Sequence, residues 1–181
     1  MVDTLANRKM LGVLVPYFNS VVEPELADLR PRGVSNQTAR FALDADVLEN
    51  VSAAAEGLMP CQPAAFIVGL APESFPGGLA LLKQGADEVR ANTRVPVFTA
   101  THATQAALRA LGVRRVAVAT PFDAEGNRHV RDAYEAEGFA VVAIDGLACP
   151  DVSTIGHSSL VDVRGLFQAV DSPDAEALVQ I

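Results

Sequence analysis

Four short segments of this 181-residue chain carry the side chains that could do chemistry. They are Pro16-Tyr17-Phe18-Asn19-Ser20, Leu70-Ala71-Pro72-Glu73-Ser74-Phe75-Pro76-Gly77-Gly78, Thr99 to His102, and Pro121-Phe122-Asp123 with Asn127. Asn19, Ser74, Thr101 and Asn127 offer uncharged donors and acceptors that can grip a carboxylate or phosphate. Glu73 and His102 are titratable and could move a proton near neutral pH. Each residue also has a structural reading. Asn19 could bond its own backbone in a turn. Ser74 and Thr101 could cap helices. Glu73 could be a carboxylate at a helix start, and His102 a solvent-facing residue of a first helical turn. His129 and His157 read as surface residues. Familiar signatures are missing: no glycine-rich dinucleotide or phosphate loop, no Gly-x-Ser-x-Gly elbow, and no His, Cys and carboxylate set at metal spacing. The expectation is therefore a reaction without metal or organic cofactor, or no reaction.

The segments that must position these groups alternate between two kinds. Apolar runs occur at Leu11 to Pro16, Ala64 to Gly69, Val95 to Ala100, Val116 to Thr120, Phe139 to Ile144 and Ala175 to Ile181, with a weak and polar one at Gly33 to Phe41. Several are continuous, which predicts parallel strands covered on both faces. Between them lie helical patterns. Ser20 with Glu23 reads as a capping box, with Leu26 and Leu29 on the buried side. Val47, Leu48, Val51, Ala54, Ala55 and Leu58 make one stripe, and Leu79, Leu82, Ala86 and Val89 another. Ala103, Ala107 and Leu111 make a third, and Leu160, Val163, Phe167 and Val170 a fourth. Strand–helix alternation predicts an α/β fold built of βαβ units. In such sheets ligands bind beyond the carboxyl ends of the strands, which is where all four segments fall. The helices that follow present N–H groups and a positive dipole end, suited to a small anion.

Val13-Leu14-Val15-Pro16-Tyr17-Phe18-Asn19 is echoed by Val118-Ala119-Thr120-Pro121-Phe122 with Asn127. The echo suggests two similar α/β lobes, residues 1–112 and 113–181. The first lobe has room for four strands and the second for three, the last of which stops at Ile181. The expectation is a shortened version of a longer protein, its second lobe incomplete. A strand left at an open edge could also recruit a second copy, making a homo-oligomer.

Composition narrows the partners. Fourteen Lys and Arg against 22 Asp and Glu give a net charge of −8, which argues against a nucleic-acid footprint. No apolar run approaches the ~18 residues of a membrane span, and no apolar signal core opens the chain, so a cytoplasmic protein is expected. Cys61 and Cys149 read as free thiols.

The run Leu11-Gly12-Val13-Leu14-Val15-Pro16-Tyr17-Phe18-Asn19-Ser20-Val21-Val22-Glu23-Pro24-Glu25 resembles the opening of the maleate cis–trans isomerase and arylmalonate decarboxylase group of the aspartate/glutamate racemase superfamily. Gly69 to Gly78 resembles that group's first catalytic loop, and Ala107 to Phe122 with Asn127 the opening of its second half. The resemblance implies two pseudo-symmetric α/β lobes with the active site between them and no cofactor. It also implies a small carboxylate or dicarboxylate substrate, processed through an enolate-type intermediate or a covalent adduct. The implied substrate-binding positions are Pro16, Asn19, Leu70, Ala71, Ser74, Thr101, Phe122 and Asn127. Isomerases and racemases of the group use two cysteines, and the decarboxylase keeps the second. Here the first position falls at Leu70 or Gly69, the second would lie beyond Ile181, and Phe122 stands where the group has tyrosine. Glu73 and His102 are the remaining acid–base candidates. The alternative is a non-catalytic carboxylate-binding protein of the same fold that has lost the cysteine pair.

Overall fold

The computed structural model describes residues 8–74 and 76–181, so Phe75 lies outside the described residues. In chain order the elements are β1 (Lys9–Pro16), α1 (Val22–Leu29), β2 (Val34–Phe41), α2 (Val47–Leu58), β3 (Ala65–Val68), α3 (Gly78–Thr93), β4 (Val97–Thr99), α4 (Ala100–Ala110), β5 (Arg115–Thr120), α5 (Ala124–Ala136), β6 (Ala140–Gly146), α6 (Leu160–Val170) and β7 (Ala177–Gln180). All seven expected strands form. Short 3-10 turns occupy Met59–Cys61, Pro72–Ser74 and Ile155–His157.

The strands make two parallel sheets, ordered β2-β1-β3-β4 and β6-β5-β7. The most continuous apolar runs, β1 and β5, sit inside their sheets. Val13, Leu14, Val15 and Val116, Ala117, Val118 are all fully buried. Such runs are apolar on both faces because the strand has a neighbour on each side and cover above and below. The chain divides into two compact units. One is the chain through Leu70 together with Ala80–His102; the other is Ala71–Leu79 together with Ala103–Ile181.

In the first unit, Leu14, Phe41, Val51, Ala55, Phe66, Val68, Leu82 and Val89 form the apolar cluster, with Leu48 and Leu58 against it. The stripes read for α2 and α3 therefore face inward. In the second unit one cluster joins Val116, Val118, Val130, Tyr134, Phe139 and Val179, and another joins Ala117, Ala119, Leu166 and Val170.

Expectations for three helices, α1, α4 and α6, need correction. Ser20 and Glu23 form no capping box: Val21 occupies the N-cap position of α1 without a side-chain cap bond. Leu29 is 77% exposed and α1 buries no residue, since a helix of eight residues touches its sheet along a narrow line. On α4 the inward face is Thr101, Gln105 and Leu108, while Ala103, Ala107 and Leu111 face out. On α6 Leu160 is exposed, and Leu166 with Val170 carries the packing.

Candidate functional site

In the first unit, β1 delivers the chain into the turn at residues 16–20. The Asn19 N–H donates to the Pro16 carbonyl at 3.0 Å. The Asn19 side-chain oxygen accepts from the N–H groups of Val21 (3.1 Å) and Val22 (2.9 Å). That oxygen is thus committed to opening α1, the local role that asparagine plays in turns. Arg40 stands opposite Val15 in the β1–β2 register. Its guanidinium Nη1 donates to the carbonyls of Pro16 (3.5 Å), Tyr17 (3.4 Å) and Asn19 (2.5 Å), and Nη2 pairs with Glu23 at 2.9 Å.

The tips of β3 and β4 complete the polar end of this sheet. Gly69 donates its N–H to the Leu14 carbonyl at 2.9 Å, and Leu70 packs against the unit's own apolar core. At the start of α4 the Thr99 hydroxyl accepts from the His102 N–H (3.2 Å) and lies 2.9 Å from His102 Nδ1. Thr99, not Thr101, therefore makes the capping bond. Thr101 is buried at 4% exposure, and His102 is exposed.

The second unit includes residues 71–79, so Ala71, Glu73 and Ser74 belong with α5 and the post-β5 turn. The Pro72–Ser74 turn packs on α5. Glu73, read as a carboxylate at a helix start, is only 3% exposed. Burial, and secondarily the nearby Glu73 charge, pushes the Tyr134 phenol above its ordinary value of 10.0.

A hollow of about 410 Å³ opens in this unit, with Ser74, Phe122, Asp123, His129, Cys149 and Asp151 among its lining residues. Pro76, Pro121, Val152 and Ile155 give it an apolar wall. Its carboxylates are engaged. Asp123 accepts from the Gly126 N–H at 2.9 Å and so caps α5. Asp151 accepts from the Ser153 hydroxyl (2.5 Å) and from the N–H groups of Thr154 (3.0 Å) and Ser153 (2.9 Å). These bonds, the hydroxyl's first, hold its carboxyl below the usual range. Glu125 lies 3.6 Å from Arg128 and 3.9 Å from His129. The Cys149 thiol is 3.7 Å from the Ser158 hydroxyl.

Asn127 is turned inward. It accepts a hydrogen bond from the Thr120 hydroxyl, which itself accepts from the Phe122 N–H at 3.0 Å. The chain after β6 is laced to the same turn: Leu147, Ala148 and Cys149 donate their N–H groups to the carbonyls of Thr120 (3.0 Å), Phe122 (3.2 Å) and Pro121 (2.8 Å). This contact depends on Gly146, where a Cβ would lie 2.0 Å from the Phe122 carbonyl oxygen and 2.7 Å from the Thr120 hydroxyl.

Of the expected positions, then, Ser74 and Phe122 share one hollow, and Pro16 and Asn19 share one turn. Leu70 and Asn127 are tied into their units. The surface reading of His129 is corrected, since its side chain is only 17% exposed and lines the hollow, and Arg40 was passed over. His129 has a signal in hindsight: it lies six residues beyond the capping Asp123, on the second turn of α5.

The arylmalonate decarboxylase family model matches residues 11–180. No curated protein sequence matches the chain. Among solved structures, an unliganded arylmalonate decarboxylase superposes with a TM-score of 0.73 at 24% identity, over 95% of this chain and 76% of that one. The maleate isomerase of Pseudomonas putida S16, solved with maleate, gives a TM-score of 0.78 at 21% identity, over 94% and 76%. The maleate cis–trans isomerase of Nocardia farcinica gives 0.78 at 22% identity with the same coverage. A mutant of that Nocardia enzyme carries a covalently bound succinylcysteine intermediate.

Proposed function

Since the chain belongs to the arylmalonate decarboxylase family, we propose that it is a cofactor-independent enzyme acting on a small carboxylate or dicarboxylate, by isomerisation or decarboxylation. The observation that carries this reading is the family match, which spans residues 11–180, from β1 to β7. Decarboxylating a malonate leaves an electron pair delocalised into the remaining carboxylate, and a proton from solvent or a side chain then quenches it. The catalytic demand is to hold that enediolate with N–H and hydroxyl donors fixed in advance. The strand-tip turns of each unit supply such donors, with Asn19 and Thr101 in the first unit, and separately Ser74 in the second, the side chains nearest in kind to the task. The apolar wall of the second unit's hollow, with Phe122 in it, suits a carbon substituent better than a second charge.

The test is proton NMR of the chain incubated with maleate and, separately, with phenylmalonate. Fumarate or phenylacetate accumulating in proportion to protein concentration is the expected result. A second reading, a carboxylate-binding protein without turnover, draws on Leu70, whose apolar side chain packs into the core where the family's isomerases would present a thiol. Calorimetric binding of maleate with no product formed would favour it over the enzyme.

A further inference from the structure

We propose that Arg40 is the positioning residue of the turn after β1, and that it orients the N–H groups of Phe18 and Ser20 as donors for a carboxylate. The inference rests on the carboxylate reading given above and assigns that reading a residue outside the expected set. Three carbonyls, those of Pro16, Tyr17 and Asn19, converge on one guanidinium nitrogen, and Glu23 takes the other. A trans peptide directs its C=O and N–H to opposite sides. Drawing the Tyr17 and Asn19 carbonyls toward Arg40 therefore turns the N–H groups of Phe18 and Ser20 the other way. The remaining peptide N–H of the set, that of Tyr17, is spent on the Phe41 carbonyl at 3.0 Å. The same arrangement removes an obstacle. Carbonyl oxygens left facing a bound carboxylate would repel it, and here a cation takes up those of Tyr17 and Asn19.

Only arginine fits this task. Its planar fork carries five donors in fixed geometry, whereas lysine offers a single mobile charge. Arg40 is held from both ends, by its strand register opposite Val15 and by Glu23 at the start of α1. The cation is about one-third exposed, so its bonds to the turn are partly screened from solvent.

The experiment compares wild type, Arg40→Ala and Arg40→Lys in two measurements: calorimetric titration with maleate, and amide hydrogen exchange of residues 17–22. Arg40→Ala is expected to weaken maleate binding roughly tenfold or more and to speed exchange in that stretch alone. Arg40→Lys falls between, and millimolar guanidinium added to Arg40→Ala restores part of the affinity. A merely structural arginine would not give that rescue. Wild-type affinity and unchanged exchange in Arg40→Ala would overturn the assignment. If wild type itself binds no maleate, the carboxylate reading fails, and exchange at residues 17–22 alone then decides whether Arg40 positions the turn. If Arg40→Ala does not fold, Arg40→Lys is judged by the same two readouts.

Discussion

The turn after β1 and the turn after β5 begin alike and are held differently. Each follows a buried central strand, runs through proline into an aromatic residue, and opens a helix. Each is braced by the neighbouring parallel strand, β2 in one sheet and β6 in the other. In the first unit the brace is a side chain, Arg40, reaching three carbonyls. In the second it is the main chain itself, which comes close at Gly146 and donates the N–H groups of residues 147–149 to the carbonyls of residues 120–122. A charged clamp can be removed while its strand stays intact. A backbone clamp cannot be loosened without moving the strand end.

The largest effect is therefore expected at Gly146. Gly146→Ala forces a methyl group into the Phe122 carbonyl, and overpacking of this kind costs about 3 kcal/mol, read from urea unfolding. A loss below measurement error would mean that the two strands are not bound as tightly as described. Next comes Thr120→Val, which strips a buried hydroxyl from both the Phe122 N–H and the Asn127 side chain. Leaving those groups unsatisfied costs about 2 kcal/mol. Asn19→Ala in the first unit removes the acceptor for Val21 and Val22. It should cost about 1 kcal/mol, the scale of a lost helix cap. If Asn19→Ala proved costlier than Thr120→Val, the contrast between a yielding turn and a rigid one would reverse.

The smallest effect is a pH dependence at the start of β7. Glu176 accepts from the N–H groups of Arg114 (2.7 Å) and Arg115 (2.9 Å) and pairs with the Arg115 side chain at 3.1 Å. The two backbone bonds, Arg114's first, hold its carboxyl below the ordinary 4.5. Because the folded form keeps this carboxylate ionised more readily than the unfolded form, its contribution is complete above pH 4.5 and fades as acid protonates the folded protein. Glu176→Gln should lower the neutral plateau slightly and leave stability in strong acid unchanged, so that the acid limb flattens in thermal melts; an acid limb as steep as wild type's would contradict this.

Much of the fold was legible because buried parallel strands are continuous apolar runs, and every such run became a strand. The helices of the first core were legible for the same reason: Val51 and Ala55, or Leu82 and Val89, have no other use than packing. The face of α4 was misread because its inward side carries Thr101 and Gln105, polar residues that the search for apolar periodicity discards. The strand tips that carry the candidate residues were legible, and the bonds those residues make were less so. Asn19 stands in the expected turn and Asn127 in the first turn of α5 that follows the other, but their oxygens serve the protein's own hydrogen bonds. Arg40 escaped notice because its partners are backbone carbonyls, which leave no mark in a sequence. Cys149 met the hollow only through the return of the chain after β6, a long-range contact set by Gly146. No helix among the described residues is long and apolar enough to cross a membrane.

The central claim, that strand-tip turns of this chain bind a small carboxylate, is tested most directly by titrating maleate into isotope-labelled protein and following backbone amide shifts. Saturable shifts concentrated at residues 17–22 or 122–127 are the predicted result. Shifts scattered over the surface without saturation, or none at those turns, would contradict it.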